Sequence, residues 1–466
     1  MTTRAYIIKL GGIVLLVATL AMIGMSFSEA VWSQIGRFAA HDPGIRPGPA
    51  SVGSMLGNLT PAEQQAFAGG LEAFQEVASV RGTVPDTEAG LGPRFNLDSC
   101  AGCHMQPAIG GTSPLMNPQV EVAKKEGANN EVPVFIKKDG PVREARFKFK
   151  PDGTPDGGVH ALFTISGRND APGCSIQQPD FRSAIAQRNV VFRIPTPTFG
   201  AGLIEAIDDD TILANVKTES ARKQSLGIRG RPNMKGHPNT SGNDGTVTRF
   251  GWKAQNKSLE IFSGEAYNVE QGVTNDLFPQ ERDEARNCRF NTTPESATNF
   301  ESSDPQEVPS DVVKFAVFMR FLAPATPAPD TDTIVRGRRL FGDVGCALCH
   351  TPTLHTGNSS VQALKDKDVN LYSDLLLHNM GQGLADDVSQ GNAAGDEFRT
   401  APLWGLGKRI FFLHDGRTKD LLEAIQAHAG PGGGQYPPSE ANQVIAQFNR
   451  LNEIEKQHVL NFLRSL

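Results

Sequence analysis

Two short segments of the chain combine thiols and an imidazole at the spacing that attaches haem. Residues 100–104 read Cys-Ala-Gly-Cys-His, and residues 346–350 read Cys-Ala-Leu-Cys-His. Cys-x-x-Cys-His is the attachment sequence of c-type haem. Its two thiols bond to the porphyrin, and its histidine becomes an axial ligand of the iron. We therefore expect two covalently bound haem c groups, attached through Cys100, Cys103, Cys346 and Cys349 and ligated by His104 and His350.

A pair of zinc ribbons is the alternative interpretation of these two segments. A structural zinc site needs four ligands, usually supplied as two paired sets. No Cys-x-x-Cys occurs in the sequence outside residues 100–103 and 346–349. The sequence therefore favours haem over zinc.

The first 30 residues predict export from the cytoplasm. Arg4 and Lys9 precede an apolar run over residues 10–27, and Ser28-Glu-Ala30 offers the small residues that a signal peptidase reads. We expect a signal peptide that is cleaved after Ala30. An uncleaved membrane anchor is the alternative, because the apolar run is just long enough to span a bilayer. Both forms place the folded part outside the cytoplasm, and we expect a periplasmic protein.

The composition and the net charge limit the kinds of molecule that the protein is expected to bind. The chain has 466 residues, of which 39% are hydrophobic and 21% charged, as in an ordinary globular protein. The formal net charge is -6, which argues against binding to nucleic acid and is compatible with a small basic electron-donor protein.

Two cysteines remain outside the haem-attachment segments. They are Cys174 and Cys288. In an oxidising compartment a disulfide between them is the simplest expectation. Two separate buried thiols are the alternative, because sequence does not show that two cysteines approach each other.

A Gly-x-x-x-Phe unit precedes both Cys-x-x-Cys-His segments. Gly70 and Phe74 lie in a helix predicted over residues 64–77. In the second unit, Gly337 and Phe341, the phenylalanine lies five residues before Cys346. Glycine lets a partner helix approach closely, and the phenylalanine would pack beside the haem. The unit resembles the N-terminal helix of class I cytochromes c.

Each domain of this kind should close with a C-terminal helix that crosses the first one. Two apolar stretches fit that role, at residues 311–322 and 453–466. The fold class that we expect is therefore mainly α, with two class I cytochrome c-like haem domains. Short β-like runs at residues 147–149, 160–165 and 190–194 predict a few strands within a loop-rich insertion of the first domain.

The predicted organisation is a signal peptide or anchor (1–30), a linker (31–58), the first domain (59–323, with its insertion at about 105–250), a linker (324–329) and the second domain (330–466).

The chain resembles the di-haem c-type oxidoreductases described as di-haem peroxidases or as thiol oxidoreductase-like proteins. These are related to bacterial di-haem cytochrome c peroxidase and to the methylamine dehydrogenase maturation enzyme. The resemblance covers most of residues 60–466. It rests on the segments Phe199–Ala206, Arg249–Ala254, Phe398–Gly405 and His414–Gly416.

The resemblance implies roles for two residues of the segment 252–270. In the related peroxidases a tryptophan lies between the haems, and a catalytic glutamate follows about twenty residues later. By that match Trp252 is the interhaem relay and Glu270 the acid–base group. A carboxylate suits this chemistry, because cleaving a peroxide requires a proton to be taken from one oxygen and returned to the other. An ordinary core tryptophan and a surface glutamate are the alternatives, and the family's active-site glutamine has no counterpart here.

The resemblance also implies a second axial ligand for the C-terminal haem. His428 occupies the position of the methionine ligand of the peroxidases, and Met380 is the alternative. For the N-terminal haem, His160 and His237 are the spare imidazoles, and an open position is equally compatible. A calcium ion between the domains is implied by the loose match of Thr400-Ala-Pro402.

The function predicted from these features is that of an exported di-haem oxidoreductase of peroxidase type. Electrons from a small donor protein, a cytochrome c or a cupredoxin, would enter at the C-terminal haem. They would pass to the N-terminal haem, where hydrogen peroxide or another small oxidant is reduced. The alternatives are an electron-transfer cytochrome without a substrate site and a di-haem oxygenase.

Overall fold

Two pairs of crossing helices organise the computed structural model, which describes residues 39–235, 246–283 and 285–466. The predicted export signal and the start of the following linker, residues 1–38, lie outside the described residues. In the part that is described, no helix has the length and apolarity needed to cross a membrane.

The helices are short apart from α8 and the four that form the pairs. In chain order they are α1 (Pro61–Gln75), α2 (Cys100–Cys103), α3 (Gln119–Val122), α4 (Phe181–Ala186), α5 (Ala201–Glu205), α6 (Asp209–Lys217), α7 (Ser220–Leu226), α8 (Leu259–Gln271), α9 (Asp311–Phe321), α10 (Asp332–Asp343), α11 (Gly381–Leu384), α12 (Leu421–Gln426), α13 (Asn442–Arg450) and α14 (Glu453–Ser465).

Helix α1 crosses α9, and α10 crosses α14, as predicted. The glycine of each Gly-x-x-x-Phe unit lies at its crossing. A Cβ added at Gly70 would lie 2.5 Å from the carbonyl oxygen of Lys314, and one added at Gly337 would collide with the carbonyl oxygen of His458. Only a residue without a side chain permits such close approach. The description of the two halves as cytochrome c-like domains, with the boundaries given above, stays a prediction.

Local sequence sets where the long helices begin. Thr60 caps α1 by accepting a hydrogen bond from the Glu63 amide, while the Glu63 side chain accepts one from the Thr60 amide, and Pro61 opens the helix. Ser258 caps α8 by accepting a hydrogen bond from the Ile261 amide. These contacts satisfy amide groups that have no partner within the helix.

The expectation of a mainly helical fold needs correction, because short strands are mixed with the helices in both halves. They are β1 (Arg94–Phe95), β2 (Glu144–Phe147), β3 (Val159–His160), β4 (Phe163–Thr164), β5 (Val190–Arg193), β6 (Leu354–His355), β7 (Asp368–Val369), β8 (Leu377–Asn379) and β9 (Glu397–Arg399).

The strands form small antiparallel sheets that join distant segments. β2 lies between β3 and β5, with Ala145 opposite both His160 and Phe192. β1 pairs with β4, β6 with β7, and β8 with β9. The predicted β-like runs of the insertion therefore correspond to β2–β5. The strands β6–β9 were missed because two or three residues are too few to show an alternating pattern.

Aromatic side chains fill the core beside each helix crossing. Phe74 packs against Phe315 and Phe318, with ring centroids 6.1 and 4.8 Å apart, and its edge meets the ring of His104 at 5.9 Å. Phe341 packs in the same way against Phe462, at 5.4 Å. The two crossings share this geometry, which places one phenylalanine next to each Cys-x-x-Cys-His histidine.

The predicted disulfide between Cys174 and Cys288 is confirmed, and both residues are buried. It ties the insertion to the segment that follows α8. The other four cysteines, Cys100, Cys103, Cys346 and Cys349, are free thiols.

The crossing of α10 with α14 generates a prediction about stability. Gly337→Ala should lower the free energy of unfolding by about 1–3 kcal/mol, as overpacking does, because the added methyl group must displace the backbone of α14. Chemical denaturation of the purified protein measures the change.

Gly342 is the matched control, since it lies in the same helix and a Cβ there meets nothing within 4 Å. Gly342→Ala should leave stability unchanged or raise it slightly, because alanine favours helix. Equal effects of the two substitutions would contradict the close crossing.

Candidate functional site

The first Cys-x-x-Cys-His segment forms a single turn of helix followed by an anchored histidine. Ser99 caps this turn, α2, by accepting a hydrogen bond from the Gly102 amide. The His104 ring donates from Nδ1 to the carbonyl of Gly111, at 2.9 Å. A carbonyl can only accept, so the other ring nitrogen, Nε2, keeps its lone pair. Burial lowers the pKa of His104 to about 4, which keeps the ring neutral.

The second segment repeats this arrangement with a different local turn. Residues 346–348 form a 3₁₀ turn that starts after Gly345, whose φ of 98° suits only glycine. His350 donates from Nδ1 to the carbonyl of Tyr372, at 3.0 Å, and so also leaves Nε2 free. Burial, together with the nearby His428, lowers the pKa of His350 to about 4. Both motif histidines are therefore held as neutral rings that can bind a metal.

A cavity adjoins each segment. The first is lined by Cys100, Cys103 and His104. The second is lined by Cys346, Cys349 and His350. Two thiols and a histidine facing one cavity fit the attachment of haem.

The zinc alternative does not fit the geometry. Among the described residues, one group of three potential ligands lies close enough for a metal, and it consists of Cys349, Asp374 and His378. It includes neither Cys346 nor His350. Both nitrogens of His378 already contact carboxylates, Nε2 with Asp374 at 2.9 Å and Nδ1 with Glu440 at 2.8 Å.

His428 faces His350 across the second cavity. The two ring centroids are 6.5 Å apart. Metal–imidazole bonds are about 2.0 Å long, so this spacing leaves room for one metal atom between the rings. His428 donates from Nδ1 to the carbonyl of Ala424, at 2.8 Å, which again leaves Nε2 free. Met380, the alternative ligand, also lines this cavity, and the choice between the two stays a prediction.

Among the described residues, the first cavity has no second imidazole comparable to His428. His104 is the one histidine among its described lining residues. His160 stacks on Phe147 with centroids 3.8 Å apart, bonds through Nε2 to Asp156 at 2.9 Å, and does not line the cavity. His237, the other spare imidazole, lies outside the described residues.

A carboxyl group borders the first cavity instead. Glu270, near the end of α8, lines it together with Glu265 of the same helix and Glu144 of β2. Burial, and then the charges of Glu144 and Glu265, raise the pKa of Glu270 to about 8, while Arg146 opposes them. Glu270 is therefore protonated at neutral pH and close to the point at which it exchanges a proton.

Trp252 lies between the two cavities and lines both. Its indole nitrogen donates to the carbonyl of Ile194, at 2.9 Å, and its ring meets that of His414 at 6.3 Å. The next residue, Lys253, donates to the carbonyls of Ala394 and Glu397, which fixes the turn that carries the indole. The structure thus brings Trp252 to the position that the resemblance implies, while its role stays a prediction.

A buried network of ion pairs lies at this junction and was not predicted from the sequence. Asp386 pairs with Arg193 at 2.6 Å and with Lys253 at 3.2 Å. Burial alone would raise the pKa of Asp386, but these two cations lower it to about 2. Lys253 lies in a segment that carries the family resemblance, but its partner is more than a hundred residues away and no local pattern identifies it.

The surroundings of Thr400–Pro402 do not fit a calcium ion. Calcium takes six to eight oxygen ligands, usually including carboxylates. The Thr400 carbonyl instead accepts a hydrogen bond from Ser373, and the Thr400 amide donates to Leu376. The charged side chains that line the cavity here are the guanidinium groups of Arg399 and Arg409. These positive charges would repel a calcium ion.

Solved structures show partial likenesses to this chain. A MauG-like protein associated with microbial copper homeostasis is 20% identical, with a TM-score of 0.25, and the match covers 36% of this chain and 55% of that one. For the diheme peroxidase BthA from Burkholderia thailandensis, the identity is 14%, the TM-score 0.30 and the coverage 47% and 65%. For hydrazine synthase from Kuenenia stuttgartiensis, the values are 18%, 0.23, and 35% and 56%. The match therefore spans between about half and two thirds of the length of each of these structures.

The comparison with sequence models of protein families covers more of the chain than these structures do. No curated protein matches the chain. The sequence model of the family described as "Di-haem oxidoreductase, putative peroxidase" matches residues 144–466, which is more than half of the chain. This chain therefore belongs to the di-haem oxidoreductase family.

Proposed function

We propose that this chain is an exported di-haem c-type oxidoreductase that reduces hydrogen peroxide or a related small oxidant. Haem c is attached at residues 100–104 and 346–350, electrons enter at the second cavity, and the oxidant is reduced in the first. One observation carries this assignment. His428 faces His350 across the second cavity, whereas the first cavity has one described histidine and a protonated carboxyl group on Glu270.

Haem, when bound, supplies one-electron redox chemistry at both sites. The chain contributes the orientation of the ligands. The Nδ1–H group of each motif histidine donates a hydrogen bond to a backbone carbonyl. This bond holds the ring in one tautomer and leaves the Nε2 lone pair to bind the metal. His428 does the same from the opposite wall of the second cavity, so that this site has ligands on both sides.

Glu270 moves the proton in the first cavity. Reduction of one hydrogen peroxide to two waters consumes two electrons and two protons. The Glu270 carboxylate takes a proton from one peroxide oxygen and returns it to the departing oxygen. A pKa of about 8 suits both halves of this transfer, because the group gains and loses a proton readily near neutral pH.

Trp252 provides the path between the cavities. Its ring lines both of them, and the hydrogen bond to Ile194 holds it in place. The electrons come from an external donor, one at a time. The net charge of -6 favours a small basic protein, a cytochrome c or a cupredoxin. The signal-like residues 1–30 support a periplasmic location, with a membrane anchor if they are not cleaved.

The proposed function predicts that one of the two haems binds external ligands. Cyanide added to the purified protein should shift the absorption spectrum of one haem, and hydrogen peroxide should be consumed when a reduced cytochrome is supplied. Two haems that both ignore cyanide in every redox state would instead indicate an electron-transfer cytochrome. Cyanide binding without peroxide turnover would indicate an oxygenase.

The second cavity generates a prediction about axial ligation. His428→Ala should convert the haem at Cys346 and Cys349 from low spin to high spin, because the imidazole opposite His350 is removed. Electron paramagnetic resonance of the oxidised protein records the change. Met380→Leu is the control and should leave the spectrum unchanged. The reverse pattern would assign the ligand to Met380.

Glu270→Gln should lower kcat/KM for peroxide by about 10²–10⁴, the usual contribution of a general acid–base group, while both haems stay attached. In the wild type kcat/KM should rise with pH up to about 8 and then level off, because the carboxylate form accepts the first proton. The variant should lack this rise. Steady-state kinetics between pH 6 and 9 measures both effects, a range that brackets the pKa of Glu270.

The matched control is Glu260→Gln, in the same helix but exposed. It should leave both the rate and the pH profile unchanged. Full activity of the Glu270→Gln variant would remove Glu270 from the mechanism.

A further inference from the structure

Two arginines at the junction of the cavities are buried together. Arg399, at the end of β9, and Arg409 are each 8% exposed. Both line the second cavity, and both line a smaller cavity that also borders Trp252. The pair therefore lies next to the path between the two sites.

Neither guanidinium group pairs with a carboxylate among the residues that the structure describes. Arg399 donates from Nε to the carbonyl of Gly251, at 3.0 Å. Burial, and then the charge of Arg409, lower the pKa of Arg399 to about 10, and burial lowers that of Arg409 to about 10. Both groups nevertheless remain cationic at neutral pH, so two like charges line the same cavities inside the protein.

The other buried arginines of this chain are paired. Arg168 contacts Asp170 at 2.8 Å, Arg193 contacts Asp386 at 2.6 Å, and Arg464 contacts Asp42 at 2.5 Å. Burying a charge without a counter-charge is strongly unfavourable. The contrast indicates that Arg399 and Arg409 are balanced by a negative group that is not among the described residues.

We propose that Arg399 and Arg409 form the binding site for the carboxylates of the haem in the second cavity. The inference rests on the proposed function, which places a haem there. Haem carries two propionate side chains, and a guanidinium group binds a carboxylate through two parallel hydrogen bonds. Two arginines thus match two carboxylates in number, charge and geometry.

This assignment also explains why the residues near Thr400 do not fit a calcium ion. Two fixed cations already supply the positive charge that a metal would bring to the junction. Both guanidinium groups border the same small cavity as Trp252, and they would supply the positive charge that holds the carboxylates of a bound haem.

Substitution of Arg409 tests the site through a redox potential. Arg409→Gln should keep two attached haems and lower the midpoint potential of the low-spin haem, because an unbalanced carboxylate charge stabilises the oxidised iron. Arg409→Lys restores the charge and should recover most of the potential. Arg339→Gln is the control, since Arg339 is 81% exposed and lies in α10 of the same half. It should leave both potentials unchanged.

Potentiometric titration gives the potential of each haem, and the pyridine haemochrome assay gives the haem content. Two attached haems with an unchanged low-spin potential in the Arg409→Gln variant would overturn the proposal. A wild-type protein without haem would instead refute the proposed function, so the two failures are distinguishable.

A measurement on the wild type decides the question if the glutamine variant does not fold. Haem whose propionate carboxyl groups carry ¹³C is followed by infrared spectroscopy while the pH is lowered. Carboxylates held by Arg399 and Arg409 should stay ionised well below about pH 4.3, the ordinary pKa of a glutamate side chain. Protonation of all four labelled groups at or above that pH would overturn the proposal.

Discussion

The hydrogen bond from a histidine Nδ1 to a backbone carbonyl is the contact on which the two sites depend. It recurs at His104, His350 and His428, with distances of 2.9, 3.0 and 2.8 Å. Each bond settles which ring nitrogen carries the proton and leaves the other one free on the cavity side. The helix crossings and the packed phenylalanines hold the carbonyls and the rings in register. Without them, two Cys-x-x-Cys-His segments would remain flexible chain.

The two cavities differ in the side chains that line them besides the motif histidine. The second cavity has a further imidazole, at a spacing from His350 that suits one metal atom. The first is bordered by carboxyl groups, of which Glu270 holds a proton at neutral pH. In the proposed function this difference separates the site that only passes electrons from the site where a substrate reacts. Charge is also distributed unequally: the ions around Asp386 are paired, whereas Arg399 and Arg409 have no carboxylate partner among the described residues.

The sequence predicted the features that depend on short-range spacing. The two Cys-x-x-Cys-His segments, the Gly-x-x-x-Phe units and the helix at residues 311–321 are visible because their residues are neighbours in the chain. The disulfide followed from the number of cysteines and the predicted compartment. Short strands such as β8 and β9 were missed, because their pairing joins segments that carry no pattern of their own.

The charged networks could not be predicted from the sequence either. The pairing of Lys253 with Asp386 joins residues far apart in the chain, and the isolation of Arg399 and Arg409 is a property of the surrounding space. His160 was one of the alternative ligands by residue type. In the structure it contacts Asp156 and Phe147 and does not line the first cavity. Residue type and spacing identify candidate ligands, whereas the folded chain decides which of them face the same cavity.

The central claim is that the chain carries two covalently attached haem groups, one at each Cys-x-x-Cys-His segment. Mass spectrometry of the denatured protein, purified from a host that matures c-type cytochromes, tests it most directly. The account predicts a mass that exceeds that of the processed polypeptide by two haem groups, with one group on each of the peptides containing residues 100–104 and 346–350. A mass equal to that of the polypeptide alone would contradict it.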